Sequence, residues 1–284
     1  VKTWGDFGID LPAAAHGEID VTCPQCSPSR KKKSARCLSV NVEKGCWTCM
    51  HCGWSGGLLQ GAKEAREEHW RRPVYVLPAA RTVPDELDIS LVQWFATRSI
   101  PAAVLRRNQI HLRPVYMPQV EERVKAICFP YYRGAELVNC KYRDREKNFR
   151  MEAGAERVLY GLNDLAERTV IVEGEIDKLS VEVAGCQACV SVPDGAPAAN
   201  AKNYASKFTF LDTEALDVVK EWIIAVDNDE PGLRLEQELV RRFGADICRR
   251  VEWPDGCKDA NDVLTKLGAD ALRDCLAKAK PYPL

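Results

Sequence analysis

The sequence predicts a small β zinc ribbon followed by a larger α/β domain on a Rossmann-like parallel sheet, with an α+β subdomain between them. Three features of the chain point to this. Two Cys-x2-Cys pairs, Cys23/Cys26 and Cys49/Cys52, are separated by 22 residues near the N-terminus, which suits two knuckles closing on one tetrahedral zinc. From Thr169 onward, short β-branched runs alternate with amphipathic helical patterns, as repeated β-α units with right-handed crossovers require. Three stretches carry clustered carboxylates: 169–177 (TVIVEGEID), 222–229 (WIIAVDND) and 258–263 (KDANDV). Loops at the carboxyl ends of parallel strands gather in one crevice, so the three clusters are expected to converge there. Carboxylates packed together repel one another, and their hard oxygens call for magnesium or manganese.

The chain has 284 residues and is 46% apolar, enough for a small domain plus a large one. Its formal net charge of −1 excludes a uniformly basic surface, so contacts to nucleic acid must come from local patches. No run of about 18 apolar residues occurs, and the opening VKTWGDFGID lacks the basic start and apolar core of a signal peptide. A soluble protein without a membrane partner is therefore expected, in the cytoplasm or, alternatively, an organellar matrix. Thirteen cysteines is an odd count with four at metal spacing in one segment, which favours a reducing compartment over a disulfide framework. The absence of GxxxxGK[ST] excludes a phosphate loop of that type.

The ribbon is expected over 1–60, with strands at 37–42 and 46–48 ending at the glycines of 53–57. Cys23, Cys26, Cys49 and Cys52 are the preferred ligands; Cys46, Cys37 and His51 stand as alternatives, because Cys46 and Cys49 are themselves spaced Cys-x2-Cys. Four sulfur ligands leave no open position, so the site reads as structural. Between the knuckles, 30–36 (RKKKSAR) places five cations around Lys32 with no acid among them, either a phosphate-contacting loop or a solvated one. A charged and then proline-bearing linker is expected over 61–85.

A basic subdomain is expected over 86–165: two short helices across 90–109, with Trp94 and Phe95 in the core, then antiparallel strands at 125–130, 137–142 and 148–151. Lys141, Arg143, Arg145 and Lys147 fall at period two. If the strand continues they share one face that could track a nucleic-acid backbone; the alternative is a solvated edge whose cations discourage pairing. The acidic domain is expected over 166–284, with strands at 169–172, 188–192, 222–226 and 247–253. Helices are expected at 176–184, 198–208, 231–243, 259–268 and 269–279. Asp177, four residues after Glu173, would share its helical face, and Asp227 and Asp229 would point to one side if strand geometry persists.

EGEIDKL (173–179), VDNDEPG (226–232) and KDANDVL (258–264) resemble the three signatures of the TOPRIM fold found in bacterial-type primases, topoisomerases and some nucleases. With SVPDGAP (191–197), 141–165 and the ribbon ending CGWSGG, the chain is similar over most of its length to phage primase-helicases and plant organellar Twinkle-like proteins. The order of ribbon, linker, basic subdomain and TOPRIM segment is that of a primase. The resemblance implies that Glu173 is the general acid or base, that Asp227 and Asp229 are catalytic, and that Asp227, Asp229 and Asp259 hold magnesium, with Asp177 and Glu175 supporting. It implies RNA primer synthesis on single-stranded DNA from ribonucleoside triphosphates, with the ribbon reading the template. Lys141, Arg143, Arg145, Lys147 and Lys32 would contact nucleotide or template. A replicative helicase is the implied partner, in a longer parent polypeptide or as a separate protein. One departure stands out: bacterial primases carry aspartate two positions after the acid matching Asp259, where this chain has Asn261, a weaker metal ligand for which Asp262 could compensate. The competing readings are a non-catalytic single-stranded DNA-binding module of a helicase and a TOPRIM nuclease.

Overall fold

A computed structural model describes residues 3–30, 32–58, 75–79, 83–196 and 204–283. The chain divides into two compact units, Val1–Val74 and Tyr75–Leu284. Most of the expected linker, 61–85, lies outside the described residues.

The first unit is a four-stranded antiparallel sheet in sequence order, β1 (Glu18–Thr22), β2 (Arg36–Asn41), β3 (Cys46–Cys49) and β4 (Ser55–Gly57). Its core is small: Ile9, Val21, Leu38, Val40 and Trp47 bury together with Cys23, Cys26 and Cys49. Trp47 is the hub, with Trp4, Phe7 and Trp54 at ring-centroid distances of 5.9, 4.6 and 5.2 Å. Gly56 is required where β4 crosses this indole, because a Cβ there would lie 2.4 Å from the ring. Strands β1 and β4 are additions to the sequence reading; at five and three residues they are too short to show a period.

The second unit opens with α1 (Ile89–Ala96) and α2 (Ala102–Arg107). Asp88 caps α1 by accepting the Ser90 N–H, and Pro101 marks the entry to α2. An antiparallel sheet follows in sequence order: β5 (His111–Met117), β6 (Glu122–Arg133), β7 (Glu136–Arg143) and β8 (Phe149–Met151). Strand β5 was not expected because Pro114 interrupts it; it lies at the sheet edge, where a missing N–H is tolerated.

The remaining chain builds a five-stranded sheet in the order β10-β9-β11-β12-β13. Here β9 is Arg168–Val172, β10 Cys189–Ser191, β11 Glu221–Ile224, β12 Cys248–Arg250 and β13 Lys280–Pro281. The first four are parallel, and β13 adds antiparallel to β12. Helices α3 (Glu175–Val183), α4 (Glu230–Phe243), α5 (Ala260–Leu267) and α6 (Ala269–Ala277) accompany the sheet. A single core joins the two sheets of this unit, with Phe95, Phe129 and Tyr131 from one half and Val170, Leu179 and Trp222 from the other. That continuity fixes the cations of β7 relative to the acids that follow β9 and β11.

Three expectations change. The helix expected over 198–208 lies partly outside the described residues, and Tyr204–Leu211 is 3-10 helix with a break at Phe208. The strand expected over 247–253 shrinks to three residues, since Ala245–Ile247 forms a 3-10 turn first. The basic strand does not continue: β7 ends at Arg143 because Asp144 accepts the N–H groups of Glu146 and Asn148 at 2.9 and 2.8 Å, closing a tight loop of the kind short acidic side chains favour. Lys147 sits in the left-handed region at φ 66°. Lys141 and Arg143 therefore share a strand, while Arg145 and Lys147 belong to an exposed turn.

Candidate active site

The acids cluster because each parallel strand stops short of them. The strand β9 ends at Val172, and Glu173 and Gly174 carry the chain into α3, with Gly174 as N-cap. Glu173 therefore precedes the helix and does not share a helical face with Asp177. Its Oε1 accepts the Ala196 N–H at 3.1 Å, and its Oε2 is buried without a partner among the described residues. Burial pushes this carboxyl up to about 7; the Ala196 N–H opposes the rise, and the charges of Asp227 and Asp229 add to it. Asp177, in the first turn of α3, accepts the Asn261 N–H at 3.1 Å. Burial, and then Asp259 and Asp227, hold its carboxyl well above the usual range.

Strand geometry does not persist to Asp227 and Asp229, since β11 ends at Ile224. The loop is shaped instead by Gly232, where a Cβ would lie 2.0 Å from the Asp227 carbonyl oxygen, so only glycine lets the start of α4 press on that peptide. Asp229 caps α4 through Oδ1, 2.9 Å from the Gly232 nitrogen. Asp259 caps α5 in the same way, 2.7 Å from the Asp262 nitrogen. Lys258, which the sequence reading did not single out, stands between two acids, with its ammonium 3.3 Å from Asp227 Oδ2 and 3.1 Å from Asp259 Oδ2. Burial would lower this ammonium, but its bonds to Asp259 and Asp227 outweigh burial and raise it. Burial raises Asp227 in turn, with Lys258 opposing. Asp262 is engaged by Lys266 at 3.0 Å.

A cavity of about 440 Å³ is lined by Glu173, Asp177 and Asp227 together with Lys141, Arg143, Arg150 and Arg157. Lys141 is not a free cation there. Its ammonium lies 2.8 Å from Glu175 Oε1 and 2.8 Å from the Pro193 carbonyl, and the buried Tyr131 hydroxyl donates to the same Glu175 oxygen. Glu175 is thereby spent on a buried ion pair. Arg143 differs: it is only 7% exposed and pairs with no carboxylate among the described residues. Its guanidinium lies 4.7 Å from the Trp94 ring centroid and 6.0 Å from that of Phe149. Arg98 stacks on the same indole at 3.5 Å. Burial, with Arg98 beside it, lowers the Arg143 guanidinium. Trp94, expected only as core, thus also supports two arginines. Lys32, Arg145 and Lys147 are exposed.

In the ribbon, Cys23, Cys26, Cys49 and Cys52 bring their sulfurs within 4.8 Å of one another. Burial would raise the Cys49 thiol, but the backbone N–H groups of Cys52 and His51 and nearby thiols bring it down to about 6. Four thiols so placed, one already inclined to ionise, fit a closed tetrahedral zinc. Cys46 is not in this group, whereas Cys37 Sγ lies 3.7 Å from both Cys26 and Cys49. At the acidic cluster the donors are the hard carboxylates of Asp177, Asp227, Asp229 and Asp259, whose chemistry suits a divalent cation; Lys258 engages one oxygen each of Asp227 and Asp259. The acids are spread more widely than the thiols: among the described residues only the cysteines meet the 4.8 Å closeness. Lys258 supplies part of the positive charge they need.

Comparison with known proteins places these features in context. A family model described as Toprim-like matches residues 170–264, the span that carries all three acidic clusters. The chain is 34% identical over 303 aligned positions to the Primase homolog protein of Arabidopsis thaliana, across 100% of this chain and 88% of that protein. It is 32% identical to the chloroplastic/mitochondrial Twinkle homolog protein of the same plant, across 98% of this chain but only 41% of that protein. Among solved structures, the primase fragment of the bacteriophage T7 primase-helicase protein superposes with a TM-score of 0.54 at 22% identity, covering 90% of this chain and 98% of the fragment, a likeness of fold.

Proposed function

This chain belongs to the TOPRIM primase family, and we propose that it is a DNA-dependent RNA primase that joins ribonucleoside triphosphates into short primers on single-stranded DNA. The observation that carries the proposal is one cavity lined both by Glu173, Asp177 and Asp227 and by Arg143, Arg150 and Arg157, with Asp229 and Asp259 each capping a helix that follows a parallel strand. Such a surface suits a polyphosphate brought to divalent metal.

Asp227, Asp229 and Asp259, with Asp177 beside them, would hold magnesium or manganese, which when bound activates a nucleotide 3′-hydroxyl and neutralises the leaving pyrophosphate. Glu173 takes the hydroxyl proton on its unpartnered Oε2, for which a carboxyl raised to about 7 is suited at neutral pH. Arg143, held between Trp94 and Phe149 without a carboxylate, receives phosphate oxygens as a planar fork. Lys141 keeps Glu175 and the Pro193 turn in place. In the ribbon, zinc on Cys23, Cys26, Cys49 and Cys52 fixes the knuckles, and Lys32 in the basic loop meets the template backbone while the ribbon selects sequence. A replicative helicase is the proposed partner. The name of the Twinkle homolog supports an organellar matrix as one location, and among the described residues no helix is long and apolar enough to cross a membrane.

Incubating the protein with labelled ribonucleotides, magnesium and single-stranded DNA tests this. Short RNA is the expected product. Cleaved DNA would establish a nuclease instead, and a shifted complex without product would establish a binding module.

A further inference from the structure

We infer that Asn261 is a positioning residue that ties the acidic cluster to the arginine stack, acting as a hydrogen-bond donor and not as a metal ligand. The inference extends the reading above, on which its kinetic part rests. Asn261 lies in the first turn of α5, two residues after Asp259, and makes three donated bonds, two to α3 and one to the turn just beyond α1. Its backbone N–H reaches Asp177 Oδ1 on α3 at 3.1 Å. Its side-chain nitrogen reaches the Arg98 carbonyl, just beyond α1, at 3.0 Å and Ser180 Oγ on α3 at 2.9 Å.

The partners decide which end of the amide faces them. A carbonyl oxygen can only accept, so the atom against Arg98 is nitrogen. The Ser180 hydroxyl already donates to the Ile176 carbonyl at 2.8 Å, which leaves its lone pairs for Asn261. Both neighbours therefore demand a donor, and one amide nitrogen supplies two hydrogens. Aspartate at this position would set anionic oxygens against a carbonyl and a hydroxyl whose proton is committed, beside Asp177 and Asp259. With the nitrogen fixed between the Arg98 carbonyl and Ser180, the fold itself sets the direction of the amide.

The strut also has a direction. Arg98 stacks on Trp94, and Trp94 carries Arg143 on the cavity wall. Asn261 thus links Asp177 to the turn that carries Arg98, whose stack on Trp94 is shared with Arg143 of β7, and through that stack it would set the distance between the acids and the polyphosphate they must meet. Transfer chemistry is sensitive to displacements of about 0.5 Å in such settings.

The test uses the full chain with Asn261→Leu, which removes both side-chain donors at similar volume, and Asn261→Asp, which keeps a metal-binding oxygen. Each is examined for Mn2+ affinity by electron paramagnetic resonance and for primer synthesis with kcat and nucleotide KM separated. Positioning predicts that both variants lose at least tenfold in kcat, while Asn261→Leu binds Mn2+ within threefold of wild type. Wild-type kcat in either variant overturns the inference, as does a tenfold loss of Mn2+ affinity in Asn261→Leu that Asn261→Asp restores. Should Asn261→Leu fold poorly, Ser180→Ala removes one acceptor without added bulk; a severalfold lower kcat supports the strut, and an unchanged kcat refutes it. A wild-type chain that binds Mn2+ but makes no primer would refute the primase reading alone, and the Mn2+ comparison would still decide whether Asn261 is a ligand.

Discussion

Replacing Glu173 with glutamine isolates one carboxyl whose protonation couples stability to chemistry. A carboxylic acid raised from 4.5 to about 7 binds its proton more tightly in the folded state, so its contribution to stability is complete below pH 4.5 and is lost as pH rises through 7. At about 1.36 kcal/mol per pH unit the loss has an upper bound near 3 kcal/mol, and because the side chain opens partly to the cavity, screening reduces it to roughly 1–2 kcal/mol. Glutamine mimics the neutral acid and removes this dependence. In magnesium-free buffer with zinc retained, wild type should lose roughly 1–2 kcal/mol relative to Glu173→Gln between pH 5 and pH 8, a difference of about 2–8 °C in melting temperature at about 2–4 °C per kcal/mol. Saturating magnesium should shrink the gap, because bound cations favour the carboxylate. Melting curves at the two pH values supply the measurement, and primer synthesis by the variant should fall by about 10²-fold or more if Glu173 is the general base. Parallel pH dependences for the two proteins would show that Glu173 does not titrate in this window and would remove the physical basis for its role.

Asp227→Asn and Asp229→Asn should each reduce primer synthesis at least about 10²-fold with single-stranded DNA binding unchanged in a gel-shift assay; asparagine is chosen at 229 because it still accepts the Gly232 N–H that caps α4, so lost activity cannot be blamed on a frayed helix. Cys49→Ser should lose the ribbon's zinc and template selection, as native mass spectrometry and a panel of templates will show, whereas Cys46→Ser and Cys37→Ser should each retain one zinc per chain. Lys141→Met strands the buried Glu175 carboxylate and should destabilise the protein by about 3–5 kcal/mol in urea melts, with much of the loss recovered by adding Glu175→Gln.

The acidic loops were legible because their chemistry and their fold signals coincide. A β-branched run that ends near an acid predicts both a buried parallel strand and a residue at its carboxyl end, and β9 and β11 deliver Glu173 and Asp227 in that way. The cysteine pairs were legible for a similar reason, since metal geometry imposes spacing on sequence. Partnership across elements left no such trace. Lys141 looked like one of four equivalent cations at period two, yet its meeting with Glu175 and Tyr131 joins positions in three different elements that no periodicity relates. Asp144, two residues before Glu146, carried the one local warning: an aspartate followed by polar residues is a loop former, and it ends the strand before Arg145. Pro114 concealed β5 because an edge position, which excuses proline, is known only once the sheet is assembled.

The placement of acids at helix starts eases the repulsion within a cluster of like charges. Asp229 and Asp259 each commit one oxygen to the first turn of the helix they cap, where the exposed N–H groups and the helix dipole favour negative charge. The capping bond holds the second oxygen of each in direction, and that of Asp259 faces the Lys258 ammonium at 3.1 Å. Asp177 is held by the N–H of Asn261, and Asp227 and Asp259 share Lys258. Each of these acids is thus oriented by a donor of the fold, Glu173 included through the Ala196 N–H, or by a single neutralising lysine. Glu173 alone keeps a buried oxygen without a partner among the described residues, and burial raises its carboxyl toward neutral pH. Glu173 thus differs from the aspartates in keeping one buried oxygen idle, and the proposed division between metal-holding aspartates and a proton-handling glutamate draws on that difference in support.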